Sequence, residues 1–372
     1  MSNLKFDQLS RIKIDGYKSI INCDLELKKI NVLIGSNGAG KSNFISVFNF
    51  SRTIISRKLA MGVNLAGGAN SLLFKGRKIT DKIEMEFFFG QNAYSFELIP
   101  TDDDRLIFDK EFFNYYADNR NVNKSVNIGS GQSESLWEKG VGSGFIDKYI
   151  KPILKDVKWR VYHFHDTGKD ATVKQAHNIS NNIELGYNAG NLAAFLYRLK
   201  QKHIDTYQEI INSVKLIAPY FDDFYLEPNE GNEDKIILKW KQNGCDDIFN
   251  ASQLSDGTLR FICLTTLLLQ PKDLQPATII IDEPELGLHP YAITIFAEMV
   301  KQISENKQVI ISTQSVELLN EFDLEDVVIV DRDDDGSVFK RLDSEELKDW
   351  LENEYSLGEL WNKNILGGRL SK

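Results

Sequence analysis

The chain has 372 residues, a formal net charge of −10 at pH 7 and 42% hydrophobic residues. These values are typical of a globular protein with a sizeable buried core. The acidic balance excludes a uniformly basic nucleic-acid binder, although a local basic groove could still bind a nucleic acid.

The cysteines and the apolar segments indicate a cytoplasmic protein. The three cysteines, Cys23, Cys245 and Cys263, are far apart and form no CxxC pair, which argues against structural disulfides and a zinc site. The N-terminus has no apolar signal-peptide region, and the most apolar stretch, Phe261–Pro271, is too short to cross a bilayer. We therefore expect no membrane partner.

Alternating apolar residues predict short strands at the start of the chain, before the pattern becomes helical. The predicted elements are strands between Ile12 and Ile34, a helix over Lys41–Leu59, a Gly-rich loop over Gly62–Gly68, and an antiparallel pair of strands over Lys82–Phe89 and Ala93–Leu98. Residues 102–144 are polar with interspersed aromatic residues, and we interpret them as an insertion of low regularity.

The second half alternates short apolar strands with helices, which predicts a buried and mostly parallel sheet. The predicted strands are Trp159–Phe164, Ile236–Trp240, Thr278–Ile281, Gln308–Ser312 and Asp326–Asp331, and the predicted helices are Asn188–Lys202, Thr206–Ile217, Gly257–Leu269 and Tyr291–Ile303. There is no internal repeat and no sustained heptad pattern. The final segment, with Trp350 and Trp361, is expected to dock on the body.

Gly35–Ser42 reads GSNGAGKS, which matches the phosphate-binding loop G-x-x-x-x-G-K-[ST] with a strand before it and a helix after it. Its glycines let the backbone N–H groups turn towards phosphate oxygens at the positive end of the helix. Lys41 is expected to neutralise the β- and γ-phosphates, and Ser42 to bind Mg²⁺. The other predicted nucleotide contacts are Gly35, Asn37, Gly38, Gly40 and Asn43. A Gly-rich turn without function fits less well, because both spacing and context are met.

Ala277–Pro290 reads ATIIIDEPELGLHP, an apolar strand followed by two carboxylates. This is a Walker B arrangement, in which Asp282 holds Mg²⁺ and Glu283 polarises the attacking water. An isolated Asp-Glu pair after a strand is more often a surface turn. Here the following Pro284, the GLHP segment and the phosphate loop favour the Walker B interpretation.

Two further segments complete the set of motifs. Ser252–Thr258 reads SQLSDGT and opens a helix, so Ser255 and the adjacent N–H groups could bind an anion, although alone this would be an ordinary helix cap. Val309–Ser315 reads VIISTQS, a strand whose last residues would lie near the γ-phosphate if the sheet is parallel.

In chain order, which is the phosphate loop, LSDGT, IIIDEPELGLHP and IISTQS, the four motifs resemble the ABC-type ATPase heads of the SMC, RecF and OLD-like group. The segment IDGYKSIINCDLEL resembles the opening strands of that group. More narrowly, VYHFHDT (Val161–Thr167) and the LGELW…LGG ending (Leu357–Gly368) resemble short bacterial predicted AAA-type ATPases without coiled-coil arms.

The resemblance implies an α/β fold, with a mostly parallel sheet around the phosphate loop, an antiparallel N-terminal β subdomain and a helical insertion. It implies an N-terminal lobe over 1–100, an insertion and middle segment over 101–250, a C-terminal lobe over 251–345 and a docked tail over 346–372.

The resemblance also implies a homodimer that encloses ATP and Mg²⁺, with Ser255 and Gly257 reaching the γ-phosphate of the partner's nucleotide. Glu283 would be the catalytic base, and Leu286–Pro290 matches the D-loop at the dimer interface. Two positions depart from the family pattern. Asp256 replaces the usual Gly, and Gln314 replaces the usual switch His, so turnover is expected to be slow because Gln cannot carry a proton.

Several secondary assignments remain open. The Q-loop glutamine is assigned to Gln175 in preference to Gln91, and the nucleobase is expected near Tyr17 or Lys18. His163 and His165 share a strand face and could bind a metal, but no third ligand follows at a diagnostic spacing, so a packing role is favoured.

For two further segments, a structural role is favoured over a functional one. Val327–Gly336 has an Asp-x-Asp pattern similar to a Toprim nuclease, and a solvated acidic hairpin is favoured because too few residues follow for that domain. Tyr115 and Tyr116, near Arg120 and Lys124, could stack bases, and a packed insertion is favoured.

These features favour an ATP-gated switch that acts as a sensor or scaffold in antiviral defence or DNA maintenance, with a separately encoded effector such as a nuclease. The alternative is a RecF- or SMC-like protein that binds or organises DNA without an effector. The absence of heptads weighs against SMC-type arms. A membrane transporter ATPase and a metabolic P-loop kinase fit the motifs less well.

Overall fold

The computed structural model describes residues 8–116, 122–139, 146–155, 159–229, 231–342, 347, 350 and 355–367. Contacts divide the chain into a first unit, Met1–Arg160 with Lys307–Lys372, and a second unit, Val161–Asn306. Within the described residues, no helix combines the length and the apolar composition needed to cross a bilayer.

The elements are as follows in chain order. The strands are β1 (Arg11–Tyr17), β2 (Ile20–Glu26), β3 (Ile30–Ile34), β4 (Ile83–Phe89), β5 (Asn92–Pro100), β6 (Leu106–Tyr116), β7 (Val122–Gly129), β8 (Trp159–Tyr162), β9 (His177–Asn178), β10 (Phe221–Tyr225), β11 (Pro228–Asn229), β12 (Asn232–Ile236), β13 (Lys239–Gln242), β14 (Ile248–Asn250), β15 (Thr278–Asp282), β16 (Gln308–Thr313), β17 (Val327–Arg332) and β18 (Ser337–Arg341). The helices are α1 (Lys41–Ile55), α2 (Leu59–Leu65), α3 (Ala69–Leu72), α4 (Ile146–Lys155), α5 (Leu192–Lys202), α6 (Ile204–Ile217), α7 (Asp256–Leu269), α8 (Pro290–Ser304), α9 (Val316–Leu319) and α10 (Leu357–Asn362).

An antiparallel sheet in the first unit has the strand order β2-β1-β4-β5-β6-β7. The predicted antiparallel pair at residues 82–98 is confirmed as β4 and β5. The prediction of low regularity for residues 102–144 is wrong, because β6 and β7 extend this sheet. Charged residues hid the strand, since Asp109, Lys110 and Glu111 interrupt the apolar pattern of β6, although Glu111 is buried.

The interior of this sheet also accepts polar residues where they are fully bonded. Glu111 on β6 is completely buried. Its carboxylate accepts hydrogen bonds from the Tyr94 hydroxyl at 2.6 Å, the Gln132 side-chain amide at 3.0 Å and the Leu136 main-chain N–H at 2.9 Å. A buried carboxylate with this many donors is compatible with a stable core.

Tyr116, at the end of β6, packs against its own sheet, in agreement with the interpretation that favours packing over base stacking. Tyr116 is 5% exposed, lies with its ring centroid 5.1 Å from that of Phe88 and donates a hydrogen bond to Glu86 at 2.6 Å. Lys124 is exposed. Arg120 lies outside the described residues.

A second sheet of the first unit is formed by β18, β17, β3 and β16 in that order. β3 pairs in parallel with β16 and β17, while β17 and β18 form an antiparallel hairpin. All residues of β3 and β16 are buried, as expected for strands covered on both faces. The acidic hairpin predicted for residues 327–336 is confirmed by β17 and β18.

The Gly-rich loop predicted at residues 62–68 is in part a helix, because α2 continues to Leu65. Gly62 lies against Thr53 of α1, and a Cβ at this position would overlap the threonine hydroxyl. The glycine therefore permits close packing of two helices rather than marking a loop. The preceding helix ends at Ile55, four residues before the predicted end, and Arg57 adopts a positive φ of 56° just beyond it.

Part of the C-terminal segment packs within the first unit. Leu357, Leu360 and Trp361 of α10 are buried in one cluster with Val327 and Ile329 of β17. Trp350, by contrast, is 39% exposed.

The second unit contains α5, α6, α7 and α8, strand β15, and two small antiparallel sheets with the orders β10-β13-β14 and β11-β12-β9. The single strand predicted at Ile236–Trp240 is wrong. Ile236 pairs with His177 in one of these sheets, and Trp240 pairs with Phe224 in the other. The apolar run continues from the end of β12 into β13 because each of the two sheets buries its part of the run.

A pH-dependent contribution to stability is expected from Asp326, which precedes β17. Burial, with repulsion from Asp323 and Glu325, raises the pKa of its carboxyl to about 6. Because this carboxyl has a higher pKa in the folded protein than in the unfolded chain, the folded protein loses stability as the pH rises from the unfolded pKa through about 6. Asp326→Asn should remove this loss and raise the free energy of unfolding at pH 7.5 by about 1 kcal/mol, a value reduced for partial solvent screening.

Urea unfolding between pH 4 and pH 8 measures this effect. Asp335→Asn, which changes an exposed carboxylate of the same unit, is the matched control and should leave the pH profile unchanged. An identical pH profile for wild type and Asp326→Asn would contradict the expectation.

Candidate nucleotide-binding and hydrolysis site

The phosphate loop of the first unit joins buried β3 to α1, and its glycines are required by local packing. A Cβ on Gly35 would overlap the carbonyl oxygen of Val330 on the neighbouring strand β17. Gly40 has a φ of 120°, and a Cβ there would overlap the hydroxyl of Ser337. The loop backbone therefore follows a path that no other residue type permits at these two positions.

The loop presents a cation and a helix N-terminus to the same space. Because Gly40 has no side chain, it cannot cap the first turn of α1, which leaves main-chain N–H groups for an anion. Lys41 is only 5% exposed, and its ammonium donates to the carbonyl oxygens of Gly35 at 2.7 Å and Ser36 at 3.2 Å. The ammonium thus lies over its own loop. A cation in this position can pair with a polyphosphate bound to the loop.

A cavity of about 480 Å³ lies beside the first turns of α1. Lys18 and Asn43 line it, and the Asn43 amide donates to the Ser19 hydroxyl at 2.7 Å. Lys18 has a φ of 49°, donates to Ser46 at 2.9 Å, and burial lowers the pKa of its ammonium. Tyr17 is 1% exposed, so of the two residues expected near the nucleobase only Lys18 faces the cavity.

Two cations that sequence motifs did not reveal also line this cavity. Lys75 follows the short helix α3, and Arg332 ends β17 and donates to the carbonyl oxygen of Gly38 at 3.3 Å. Lys75 lies in no motif, and the Asp-x-Asp pattern around Arg332 does not indicate a place beside this cavity. Only the folding of distant segments against α1 brings them to the phosphate loop.

Gln314 lies at the same edge of the parallel sheet as the phosphate loop. Thr313, the last residue of β16, is in register with Ile34, the last residue of β3. The residues that follow, Gln314 and Gly35, therefore leave adjacent parallel strands at their carboxyl ends. The condition for placing Gln314 near the phosphates, a parallel sheet, is met.

In the second unit, β15 brings Asp282 and Glu283 to the end of an apolar strand. The side chain of Asp282 is 13% exposed. Glu283 has a φ of 42°, a conformation that costs a non-glycine residue about 1 kcal/mol or more. Such strain is concentrated at functional sites, where it fixes the direction of a side chain.

The signature-like segment of the second unit packs on the predicted D-loop. The Ser255 hydroxyl accepts the N–H of Thr258 at 3.1 Å and so caps α7. A Cβ on Gly257 would overlap the carbonyl oxygen of Gly287. Asp256, at the position where the family has Gly, lies 3.6 Å from the ammonium of Lys174. Because residue 257 is a glycine, the main chain at this position can lie in contact with the main chain at Gly287.

Arg260 joins α7 to the HFHD segment. It is 7% exposed, and its guanidinium donates to the carbonyl oxygens of Phe164 and His165, both at 2.9 Å. Burial lowers the pKa of Arg260, although a guanidinium remains charged at any physiological pH. This residue, which sequence reasoning did not single out, fixes the main chain beside Asp282.

The two histidines of the HFHD segment do have a third partner. The Nδ1 atom of His163 lies 3.5 Å from a carboxylate oxygen of Asp282, and Nε2 of His165 lies 2.7 Å from the Asp282 carbonyl oxygen. Sequence spacing could not reveal this partner, because Asp282 is more than a hundred residues away along the chain.

The two Q-loop candidates lie in different units. Gln175 follows a short 3₁₀ turn of the second unit. Gln91 is in the turn between β4 and β5, where its side chain accepts a hydrogen bond from Tyr115 at 3.4 Å. The structure thus places Gln175, but not Gln91, in the unit that carries Asp282.

A phosphate loop on a parallel sheet, together with a Walker B strand, a signature-like helix start and a D-loop-like turn, defines an ABC-type P-loop ATPase head. Residues 30–320 match the family described as "AAA domain, putative AbiEii toxin, Type IV TA system". The chain belongs to this family.

The chain is also similar to the Old nuclease of Escherichia phage P2, with 23% identity over 386 residues that cover 92% of this chain. It spans 62% of the length of that relative. The resemblance to the SMC and OLD-like group is therefore confirmed.

Solved structures confirm the fold class. An SMC head bound to the C-terminal winged-helix domain of ScpA has a TM-score of 0.56 and 16% identity, and the match covers 91% of this chain and 99% of that one. An SMC head with an extended coiled coil, bound to the C-terminal domain of ScpA from Pyrococcus furiosus, has a TM-score of 0.52 and 16% identity, with coverage of 93% and 99%. At these identities the likeness shows the fold alone.

Proposed function

We propose that this protein is a cytoplasmic ATPase switch that dimerises around ATP and hydrolyses it slowly. The observation that carries the proposal is the phosphate loop, where buried Lys41 folds over an uncapped helix N-terminus. The lysine ammonium and the main-chain N–H groups are donors that match a polyphosphate.

Each motif has a defined role in this proposal. The main chain of Gly35–Gly40 and the ammonium of Lys41 bind the phosphates, with Asn43 beside them. Ser42 and Asp282 would hold Mg²⁺, which neutralises phosphate charge when bound. Glu283 accepts a proton from the attacking water, and Gln314 orients that water without taking the proton.

The partner protomer would supply Ser255 and Gly257 to complete each site. Two apolar side chains, one at the start of the D-loop and one just after it, support an interface there, because Leu286 is 39% exposed and Tyr291 is 52% exposed. Aromatic and aliphatic side chains of this kind are typical anchors of protein interfaces.

For the biological role we propose antiviral defence or DNA maintenance, with a separate effector such as a nuclease. The family description names a toxin system, and one relative is named as a phage nuclease. Among the described residues, only one group of three or more His, Cys, Asp or Glu side chains could hold a metal ion, and it includes the Walker B aspartate. The described part of the chain thus offers no separate metal centre for a nuclease.

A second candidate, implied by the resemblance to the SMC, RecF and OLD-like group, is a DNA-binding or DNA-organising protein without an effector. Helices α5 and α6, in the middle segment, have only 11 and 14 residues, too short for coiled-coil arms. Binding to duplex DNA that depends on ATP and weakens with salt would favour this candidate.

Mixing two inactive variants tests the composite site. Lys41→Ala removes the phosphate cation and Ser255→Arg blocks the signature serine, so each variant alone should lack turnover. In a mixed dimer, one site combines Lys41 of one chain with Ser255 of the other and is intact. A random mixture should recover about a quarter of wild-type turnover, because half of the dimers are mixed and each has one good site.

The double variant Lys41→Ala/Ser255→Arg serves as the inactive control. Steady-state phosphate release is measured after the proteins are mixed without nucleotide. No recovery in the mixture of single variants would overturn the proposed exchange of residues between protomers.

A further inference from the structure

A cluster of three potential metal ligands lies within the second unit. One ring nitrogen each of His163 and His165 and one carboxylate oxygen of Asp282 all lie within 4.8 Å of one another. All three side chains are partly exposed, so an ion could reach them from solvent. The side chain of His163 is 34% exposed and that of Asp282 is 13% exposed.

The spacing of these atoms is close to that of a metal site. Bonds of about 2.0–2.2 Å from a metal ion to nitrogen and oxygen ligands place neighbouring donor atoms about 3–3.5 Å apart. The distance of 3.5 Å between His163 Nδ1 and the Asp282 carboxylate falls at this value. Small side-chain rotations bring a group that spans 4.8 Å to the same spacing.

The surroundings hold the segment in place and set the tautomer of one histidine. His165 Nε2 must donate to the carbonyl oxygen of Asp282, 2.7 Å away, because a carbonyl oxygen can only accept. In the neutral ring the lone pair is then on Nδ1, and a second ring nitrogen that donates to a carbonyl is common among metal-bound histidines. Arg260 fixes the same segment through the carbonyl oxygens of Phe164 and His165.

We propose that His163, His165 and Asp282 bind a divalent transition-metal ion of the zinc class. Two imidazoles and one carboxylate suit Zn²⁺, Co²⁺ or Ni²⁺, whereas Mg²⁺ prefers oxygen ligands only. With three protein ligands, the remaining positions are filled by water.

The site shares Asp282 with the proposed Mg²⁺ site, and its regulatory consequence therefore rests on the proposed function. A transition-metal ion held by the histidines withdraws Asp282 from Mg²⁺. Zinc-class ions are then inhibitors of ATP turnover, and the histidines set the sensitivity to them.

Titration of the metal-free and nucleotide-free protein with Co²⁺ tests the site directly, because cobalt bound to nitrogen ligands gives visible absorption. The full chain is titrated in the presence of excess Mg²⁺. We expect one saturable site in the wild type and binding weakened by about tenfold or more in His163→Gln and His165→Gln. His203→Gln, at the junction of α5 and α6 in the same unit, is the matched control and should bind as the wild type does.

Two variants are used because His165 also bonds to the main chain, whereas the partly exposed His163 should tolerate replacement without loss of fold. Equal Co²⁺ affinity in wild type, His163→Gln and His165→Gln would overturn the proposal, and so would the absence of saturable binding to the wild type. ATP binding is measured separately with a fluorescent nucleotide. Metal binding without ATP binding would refute the proposed function alone, and ATP binding without metal binding would refute this site alone.

Discussion

Lys41→Ala should abolish nucleotide binding, with an ATP dissociation constant raised by at least about a hundredfold, or about 3 kcal/mol. The ammonium is buried and points over the loop through the carbonyl oxygens of Gly35 and Ser36. A charge-assisted contact to phosphate in such a confined position is among the strongest single contacts available to the protein. Alanine also removes the one cation that the loop itself supplies to the phosphates.

Binding of a fluorescent ATP analogue measures this loss, and circular dichroism confirms that the variant is folded. Lys58→Ala is the control, because Lys58 is exposed just beyond the end of α1. This substitution removes the same charge from the same unit. Retention of wild-type affinity in Lys41→Ala would show that the loop does not bind phosphate.

Glu283→Gln should lower ATP turnover by about 10²–10⁴-fold while leaving ATP binding intact. Glutamine has nearly the same shape and can occupy the same backbone conformation, but it cannot accept a proton from water. The positive φ of Glu283 is a strained conformation of the kind found at functional sites, and glutamine meets the same backbone strain there. The ATP-bound dimer should accumulate because hydrolysis no longer opens it.

Phosphate release gives the turnover rate, and light scattering with and without ATP gives the mass of the assembly. Glu298→Gln changes an exposed carboxylate on α8 of the same unit and should behave as the wild type in both measurements. An unchanged turnover rate in Glu283→Gln would remove this residue from the role of base. A fully monomeric variant in ATP would argue against the ATP-bound dimer.

Much of the fold could be predicted because the relevant signals are local. The strands before the phosphate loop and before Asp282 are continuous apolar runs, and such runs indicate burial on both faces whatever lies opposite. The phosphate loop is recognisable because its glycines, lysine and serine follow one another directly in the sequence.

The mistakes have a common physical origin, since each concerns what a segment packs against. The pattern of β6 does not predict a strand because three charged residues, Asp109 to Glu111, interrupt it, and the strand that pairs with it is not known from the sequence. Gly62 resembles a loop residue in sequence, whereas its role is the close contact with Thr53 of another helix. The apolar run from Ile236 to Trp240 resembles one strand, although its two ends belong to different sheets.

The phosphate loop and the Walker B carboxylates were thus determined by the sequence itself, because the chemistry needs residues that are adjacent in the chain. Only the tertiary structure placed Lys75 and Arg332 beside Lys18, set Arg260 against the HFHD segment, and gave His163 and His165 their third partner in Asp282. Such contacts join residues separated by tens to hundreds of positions. Periodicity shows which face of a segment is buried, but the identity of the partner depends on the path of the whole chain.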